Sequence, residues 1–294
     1  MMRPYSPLRY PGGKGKIAPF IEALMEKNLL LDGYYVEPYV GGAGVALSLL
    51  LKEYVSKIII NDLDRSIYAF WYSVLNKTDE LSKLITDTPV DIITWRKQKQ
   101  LQKGKSRCSL LALGFSTFYL NRTNRSGIIL GGPIGGVSQT NDWRMDCRFN
   151  KRVLIQRIQR IASFRSRVDI YNQDAIKFLK DISPSLPPRS LIYLDPPYFS
   201  KGSELYENYY TEKDHADLSN FVKSMSDKHW IVSYDDMMQI RSLYVPFHQI
   251  RYALPYSAAT KVQGKEVIIF SDNLDVPISL HKKLPYKQSY NAVP

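Results

Sequence analysis

The chain has 294 residues, of which 44% are hydrophobic and 23% charged, and a formal net charge of +12. That balance excludes a disordered or fibrous chain, and the length suffices for one large domain or for a domain carrying an insertion. The positive excess points to a polyanionic partner, of which nucleic acid is the usual one.

The first residues, Met1-Met2-Arg3-Pro4-Tyr5-Ser6-Pro7, contain no apolar signal-peptide core, and no apolar run reaches bilayer-spanning length, so no membrane association is expected. Cys108 and Cys147 are the only cysteines, and the four histidines are scattered without zinc-type spacing. A reducing cytoplasm and no metal site are therefore expected.

Leu8-Arg9-Tyr10-Pro11-Gly12-Gly13-Lys14-Gly15-Lys16 reads as a glycine-rich basic loop. It feeds an amphipathic helix from about Ile17 to Leu30, with Ile17, Phe20, Ile21, Leu24 and Met25 at helical spacing. The loop is not an ATP-binding P-loop, because Ile17 stands where a magnesium-holding Ser or Thr is required. Its backbone and Lys14 can still close around a small anionic or carboxylate-bearing ligand.

Gly33 to Glu37 predicts a strand that runs into Glu37-Pro38-Tyr39-Val40-Gly41-Gly42-Ala43-Gly44 and then a helix from near Val45. Strand, glycine turn and helix form the unit that holds the adenosine part of a cofactor against a helix N-terminus. Gly41, Gly42 and Gly44 do not follow Gly-x-Gly-x-x-Gly, which argues against nicotinamide and flavin cofactors. Lys57 to Asp62 is a second strand ending in a carboxylate. Asp62 lies roughly 20 residues past the glycine turn, the spacing that recognition of ribose hydroxyls requires.

Between about Leu63 and Lys151 the alternation of strands and helices lapses. Helices are predicted over Ile67–Leu75 and Ser109–Leu120, among basic segments at Trp95–Lys99 and Lys103–Arg107. Asn121-Arg122-Thr123-Asn124-Arg125-Ser126-Gly127 and the glycine-rich run Leu130–Gly136 follow. Basic residues interleaved with amides, hydroxyls and glycines suit phosphate contacts and base-edge reading. A helix over Val153–Phe164 then precedes a strand at Val168–Tyr171 and Asn172-Gln173-Asp174-Ala175. Asp174 either caps the next helix or meets an adenine amine.

Leu191-Ile192-Tyr193-Leu194 is an apolar strand that Asp195-Pro196-Pro197-Tyr198 must end, since prolines cannot continue a ladder. Ligands of open α/β sheets bind just beyond such strand ends. Asp195 and the Pro196 carbonyl are hydrogen-bond acceptors suited to an amine, and Tyr198 offers a stacking face. A tyrosine-rich loop, Phe199–Tyr210, leads to a capping-box helix start at Thr211 and Asp214. Trp230–Tyr234 reads as a strand. His248–Leu254 and Glu266–Phe270 read as two late strands, before a polar tail after Asp275.

The motifs Tyr10-Pro-Gly-Gly-Lys14, Glu37-Pro-Tyr-Val-Gly-Gly-Ala-Gly44, Asn61-Asp62 and Asp195-Pro-Pro-Tyr198 occur in this order over most of the chain. In this the sequence resembles the Dam-like adenine-specific DNA methyltransferases. The resemblance implies an α/β fold with a Rossmann-like S-adenosylmethionine-dependent methyltransferase sheet and an inserted, mostly helical DNA-recognition domain. Residues 1–64 and 152–294 would then be catalytic and 65–151 the insertion. The resemblance also implies that the two late strands form an antiparallel edge pair. It implies that Tyr10, Lys14, Asp62 and Asp195, with Gly41, Gly42 and Gly44, line the S-adenosylmethionine site. Tyr10 stands where relatives often carry tryptophan.

Asp195, Pro196 and Tyr198 would be catalytic, and Arg122, Asn124 and Arg125 are candidates for groove contacts. The implied reaction is base flipping followed by direct methyl transfer to the exocyclic amine of adenine in double-stranded DNA. The expected protein is a cytoplasmic, bacterial or phage-encoded monomer, with or without a companion restriction endonuclease. Two alternatives remain at this point: methylation of the cytosine exocyclic amine, and a catalytically silent DNA-binding protein on the same scaffold.

Overall fold

The computed structural model describes residues 5–9, 14–200, 210–257 and 261–285. Its frame is a sheet of seven strands: β1 (Tyr34–Glu37), β2 (Lys57–Asn61), β3 (Val168–Tyr171), β4 (Leu191–Leu194), β5 (His229–Asp235), β6 (Gln249–Ser257) and β7 (Lys261–Phe270). The spatial order is β3-β2-β1-β4-β5-β7-β6. The first five strands run parallel, and β7 lies antiparallel to both β5 and β6.

The chain steps outward from β1 through β2 to β3, returns to lie beside β1 as β4, and then winds the other way. The winding thus reverses between β1 and β4, and the carboxyl ends of those two strands frame the crevice where open α/β sheets bind ligands. The late antiparallel pair sits at the sheet edge, as the family resemblance implied, with β7 turned inward against β5 and β6 outermost.

Strand side chains alternate between two buried layers, as the pleat dictates. Tyr35, Ile58, Ile60, Leu191, Tyr193 and Ile268 face one core. Val36, Ile59, Ile192, Leu194, Val232 and Ile269 face the other. The first core is completed by α1 (Ala18–Lys27), α2 (Gly44–Leu51), α3 (Arg65–Asn76), α4 (Thr78–Asp87), α6 (Leu110–Thr123) and α7 (Lys151–Ala162), with α5 (Ile92–Lys103) packed against it. The second is closed by α8 (Ala175–Ile182) and the helices Glu212–Ser224 and Met238–Leu243. Each fully buried Leu, Ile or Phe contributes about 1.5–3 kcal/mol relative to exposure, which makes the sheet a stiff platform for its strand ends.

The segment between β2 and β3 is helical, and its apolar faces join the same core as the sheet. Ile67, Phe70 and Val74 of α3 and Phe118 of α6 cluster with Ile58 and Ile60. The two helices approach closely at Gly114, where a Cβ would lie 2.4 Å from the Ala69 carbonyl oxygen. Beyond α6 the chain makes a polar excursion from Asn124 to Asn150 that contains only single helical turns. Asp174 caps α8, its carboxylate accepting from the Lys177 amide at 3.0 Å. Thr211 and Asp214 form the reciprocal capping box expected of them. Among the described residues no helix is long and apolar enough to cross a membrane.

Candidate active site

β4 is fully buried up to Leu194, and the chain leaves the sheet at Asp195-Pro196-Pro197-Tyr198. The continuation is tied to the next strand. Asp235, at the end of β5, accepts from the amides of Phe199 and Ser200, each at 2.9 Å, and from the Ser200 hydroxyl at 2.6 Å. Across the crevice, a single 3-10 turn, Lys14–Ile17, leads into α1. It lies close against the first turn of α2, because Gly44 has no side chain: a Cβ there would sit 3.1 Å from the Gly15 amide nitrogen. That approach carries Lys14 over the strand ends, where only 5% of it remains exposed.

The Lys14 ammonium is the centre of a buried polar network. Its Nζ lies 3.0 Å from Asp195 Oδ1 and 3.3 Å from Glu266 Oε1, and donates to the Tyr198 hydroxyl at 2.6 Å. The Tyr198 hydroxyl donates to Glu266 Oε1 at 2.5 Å, and Tyr252 donates to Glu266 Oε2. On the other side, Ser233 in β5 donates to Asp195 Oδ1 at 2.7 Å and is itself bonded to the Tyr193 hydroxyl at 2.8 Å. Among the described residues, both donors to Asp195 therefore converge on Oδ1. Burial raises the Asp195 proton affinity, and Lys14 opposes that rise while the nearby Glu266 adds to it. Burial pulls the Lys14 pKa down, but Asp195 and Glu266 outweigh it and hold the ammonium charged.

The glycine turn and the end of β2 form a second, adjoining group. Gly41 and Ala43 both have positive φ, of 43° and 52°, so the turn folds back sharply before α2. The Gly41 amide donates to Asp62 Oδ2 at 2.9 Å, and the Asp64 amide to Asp62 Oδ1 at 2.9 Å. Desolvation, with Asp64 nearby, pushes the Asp62 carboxyl up to about 7. Asn61 clips the neighbouring strand ends together, donating to the Pro38 carbonyl at 2.9 Å and the Gln173 carbonyl at 3.0 Å. Between the two groups stands Glu37, the last residue of β1. It is 4% exposed, its Oε2 has no hydrogen-bond partner among the described residues, and burial together with Asp195 and Asp62 holds its carboxyl well above the usual range. The ends of β1, β2 and β4 thus bring together three carboxyls, Glu37, Asp62 and Asp195, the last of them paired with the buried Lys14.

A family model for D12 class N6 adenine-specific DNA methyltransferases matches residues 10–256. The chain belongs to that family. The reaction is accordingly methylation of adenine in DNA, which decides between the adenine and cytosine amines and sets aside the silent scaffold. The chain is also 23% identical over 241 residues to the Type II methyltransferase M.MjaIII of Methanocaldococcus jannaschii, covering 75% of this chain and 80% of that protein. A solved structure of a conserved hypothetical protein of Streptococcus pyogenes aligns over 83% of this chain and 89% of its own, at 9% identity and a TM-score of 0.31. A protein of Legionella pneumophila aligns over 92% and 91%, at 12% identity and a TM-score of 0.33.

Of the residues singled out in the sequence of this D12 family member, Lys14, Asp195 and Tyr198 meet in one network. Tyr198 is 6% exposed, with its hydroxyl turned into that network and the Lys14 ammonium 4.8 Å from its ring centre. Asp62, Gly41 and Gly42 sit together at the adjoining turn, and Gly44 opens the approach of the N-terminal turn. Tyr10 lies outside the described residues, as does 201–209 of the tyrosine-rich loop.

The three DNA-contact candidates separate. Arg125 is exposed. Asn124 is fully buried: its amide donates to the carbonyls of Ile128 and Ile129 and accepts from the Trp95 indole at 2.7 Å. Arg122 spans the carbonyls of Arg148 and Pro7, and burial beside Arg9, Arg157 and Arg148 lowers its pKa to about 10. Both side chains tie the excursion to the body of the protein.

Glu37, Ser233, Tyr252 and Glu266 escaped the sequence reading. A signal existed for three of them. Glu37 ends a strand in an acid, like Asp62 and Asp195, while Ser233 and Glu266 interrupt or abut apolar strand runs, positions where a polar side chain needs a partner.

Proposed function

We propose that this methyltransferase uses S-adenosylmethionine to methylate the exocyclic nitrogen of an adenine flipped out of duplex DNA, with Asp195 as the amine acceptor. The observation that carries the reading is the Lys14–Asp195 pair at the strand-order reversal, with its donors gathered on one carboxylate oxygen. When bound, S-adenosylmethionine supplies a methyl carbon on a positively charged sulfur, and the C–S bond breaks with its electron pair as the amine nitrogen bonds that carbon.

The crevice fits such a molecule. Three carboxyls and a partnerless buried Glu37 oxygen favour a cationic ligand. Asp62, beside the glycine turn, has lone pairs left for ribose hydroxyls. Lys14, Gly41, Gly42, Gly44 and Tyr10 complete the cofactor side of this assignment.

Adenine's amine is a poor nucleophile because its lone pair is delocalised into the ring. Lys14 and Ser233 fix Oδ1 of Asp195, which leaves Oδ2 and the Pro196 carbonyl to accept the two amine hydrogens. Accepting both hydrogens releases the lone pair towards the methyl carbon, and the proton shed by the nitrogen passes to Oδ2. Positioning and electrostatics do this work without a covalent enzyme intermediate. Tyr198 is the residue assigned to stack on the flipped base. Extrusion of the base costs a few kcal/mol, which contacts to the DNA backbone offset.

We assign target recognition to 65–151, with the exposed excursion carrying Arg125, Arg144 and Arg148 against the DNA and Arg122 and Asn124 shaping it. The protein is expressed in bacteria lacking adenine methylation, and their DNA is sequenced by a method that reports modified bases. Methyladenine confined to one short motif, lost with Asp195→Ala, is expected. Full modification by Asp195→Ala overturns the assignment.

A further inference from the structure

Glu266 is an acidic residue with 0% exposure on β7, one strand in from the sheet edge, where an unpaired carboxylate is strongly unfavourable. In the antiparallel register it lies opposite Asp235 of β5 and Tyr252 of β6. All three residues serve the stretch around the Asp195 motif: Asp235 holds the amides of Phe199 and Ser200, Glu266 holds Tyr198, and Tyr252 holds Glu266. The Lys14 ammonium has three hydrogens, and its three acceptors are Asp195 Oδ1, Glu266 Oε1 and the Tyr198 hydroxyl.

We infer that Glu266 is a positioning residue for methyl transfer, which keeps the Lys14 ammonium on Oδ1 of Asp195 and away from Oδ2. The physical argument is a competition. A lysine facing a lone carboxylate settles between both oxygens, because that arrangement maximises the attraction. A second carboxylate on the far side draws the ammonium off that bisecting position and leaves one oxygen of Asp195 open to the substrate amine. Without Glu266, the lysine would compete with adenine for the acceptor it is meant to orient. The inference rests on the reading of Asp195 as that acceptor.

The test is Glu266→Gln, which preserves size and removes the charge. Single-turnover methyl transfer on duplex DNA is expected to slow by about tenfold or more, while KM for S-adenosylmethionine and DNA changes little. The alkaline limb of kcat is expected to move to lower pH. Lys14 is faced by Tyr193 of β4, Asp195 and Tyr198 after it, Glu266 of β7 and Tyr252 of β6, and Glu266→Gln removes one of its two counter-charges.

A folded Glu266→Gln enzyme with near wild-type kcat and an unmoved alkaline limb overturns the inference, and so does a uniform rise in KM with kcat intact. If that variant does not fold, Tyr252→Phe loosens Glu266 from its other side and is expected to lower kcat by a few-fold at constant KM; no effect there counts equally against it. Asp195→Ala in the same assay separates the two levels. Activity in Asp195→Ala removes the underlying reading, whereas an inactive Asp195→Ala beside a fully active Glu266→Gln removes this inference alone.

Discussion

Ser233→Ala probes the acceptor most directly, because it deletes one donor and leaves every charge in place. Ser233 is fully buried and donates to Asp195 Oδ1 at 2.7 Å, the second donor being Lys14 at 3.0 Å. A hydrogen bond to a charged group contributes about 1.5–3 kcal/mol. The Asp195 side chain is 22% exposed and keeps its lysine, so the lower end of that range applies. About 1.4 kcal/mol lost only in the transition state is about tenfold in rate. The sign of the pH effect follows from the same bond. Ser233 favours the ionised form of Asp195 against burial and Glu266, which both favour the protonated form. Its removal raises the proton affinity of the accepting carboxylate, so the acid limb of kcat moves to higher pH and the deficit grows as pH falls. Single-turnover methylation of duplex DNA from mildly acidic to alkaline pH measures both quantities. A folded Ser233→Ala enzyme with wild-type kcat and an unmoved acid limb would refute the view that the fixed, ionised Asp195 accepts the amine.

The Asp62 carboxyl, pushed up to about 7, gains its charge as pH rises through that value, and the charged form is the better acceptor for ribose hydroxyls. Calorimetric affinity for S-adenosylmethionine is therefore expected to rise across pH 7 and to become flat in Asp62→Asn. The same raised pKa means that the fold holds this proton more tightly than the unfolded chain, so its contribution to stability declines from about pH 4 to about pH 7 and that decline disappears in Asp62→Asn. Gly44→Ala places a methyl 3.1 Å from the Gly15 nitrogen, so the turn bearing Lys14 must retreat. Thermal melting is expected to show a loss of about 1–3 kcal/mol, with methylation falling further than stability alone explains. Arg125→Ala is expected to weaken DNA binding and to lower the salt slope by about one, whereas Asn124→Ala chiefly lowers the melting temperature because its amide bonds are internal. Filter binding across salt and thermal melts tell the two apart.

Most of the frame could be read from the residues because the signals are local. Apolar β4 can only stop at Asp195-Pro196-Pro197, and the glycine turn after β1 together with Asp62 after β2 declares two adjacent parallel strands. The helical segment was legible as helices but not as packing. The periodicity of α3 and α6 identifies an apolar face without saying that it merges with the core under Ile58 and Ile60. The internal bonding of two of the three DNA-contact candidates was illegible for the same reason. Arg122 and Asn124 have the chemistry of base readers, yet their partners lie far along the chain, at Pro7, Trp95 and Arg148, and only folding brings those carbonyls and the indole into reach. Glu266 is the extreme case: it is separated from Lys14 by 252 positions, and no local pattern announces a contact of that span.

The distribution of charge in the crevice bears on how such a site would accelerate methyl transfer rather than only hold its reactants. In the proposed reaction one positive charge leaves sulfur and arrives on the amine nitrogen. A pocket that stabilised the starting sulfonium as strongly as the product cation would lower KM without raising kcat. The carboxyls here are not equivalent in that respect. Glu37 and Asp62 are largely desolvated, and both are pushed towards the neutral form, which softens their hold on the starting cation. Burial raises Asp195 as well, but there a buried ammonium, Lys14, and the Ser233 hydroxyl oppose the rise, and it is the carboxylate assigned to the nitrogen. Under the proposed assignment, the carboxylate with a cation beside it would stand where positive charge develops. That opposition comes from Lys14 and Ser233, while Glu266 acts on Asp195 in the other direction and holds Lys14, so the rate of the reaction would depend on residues that never touch adenine.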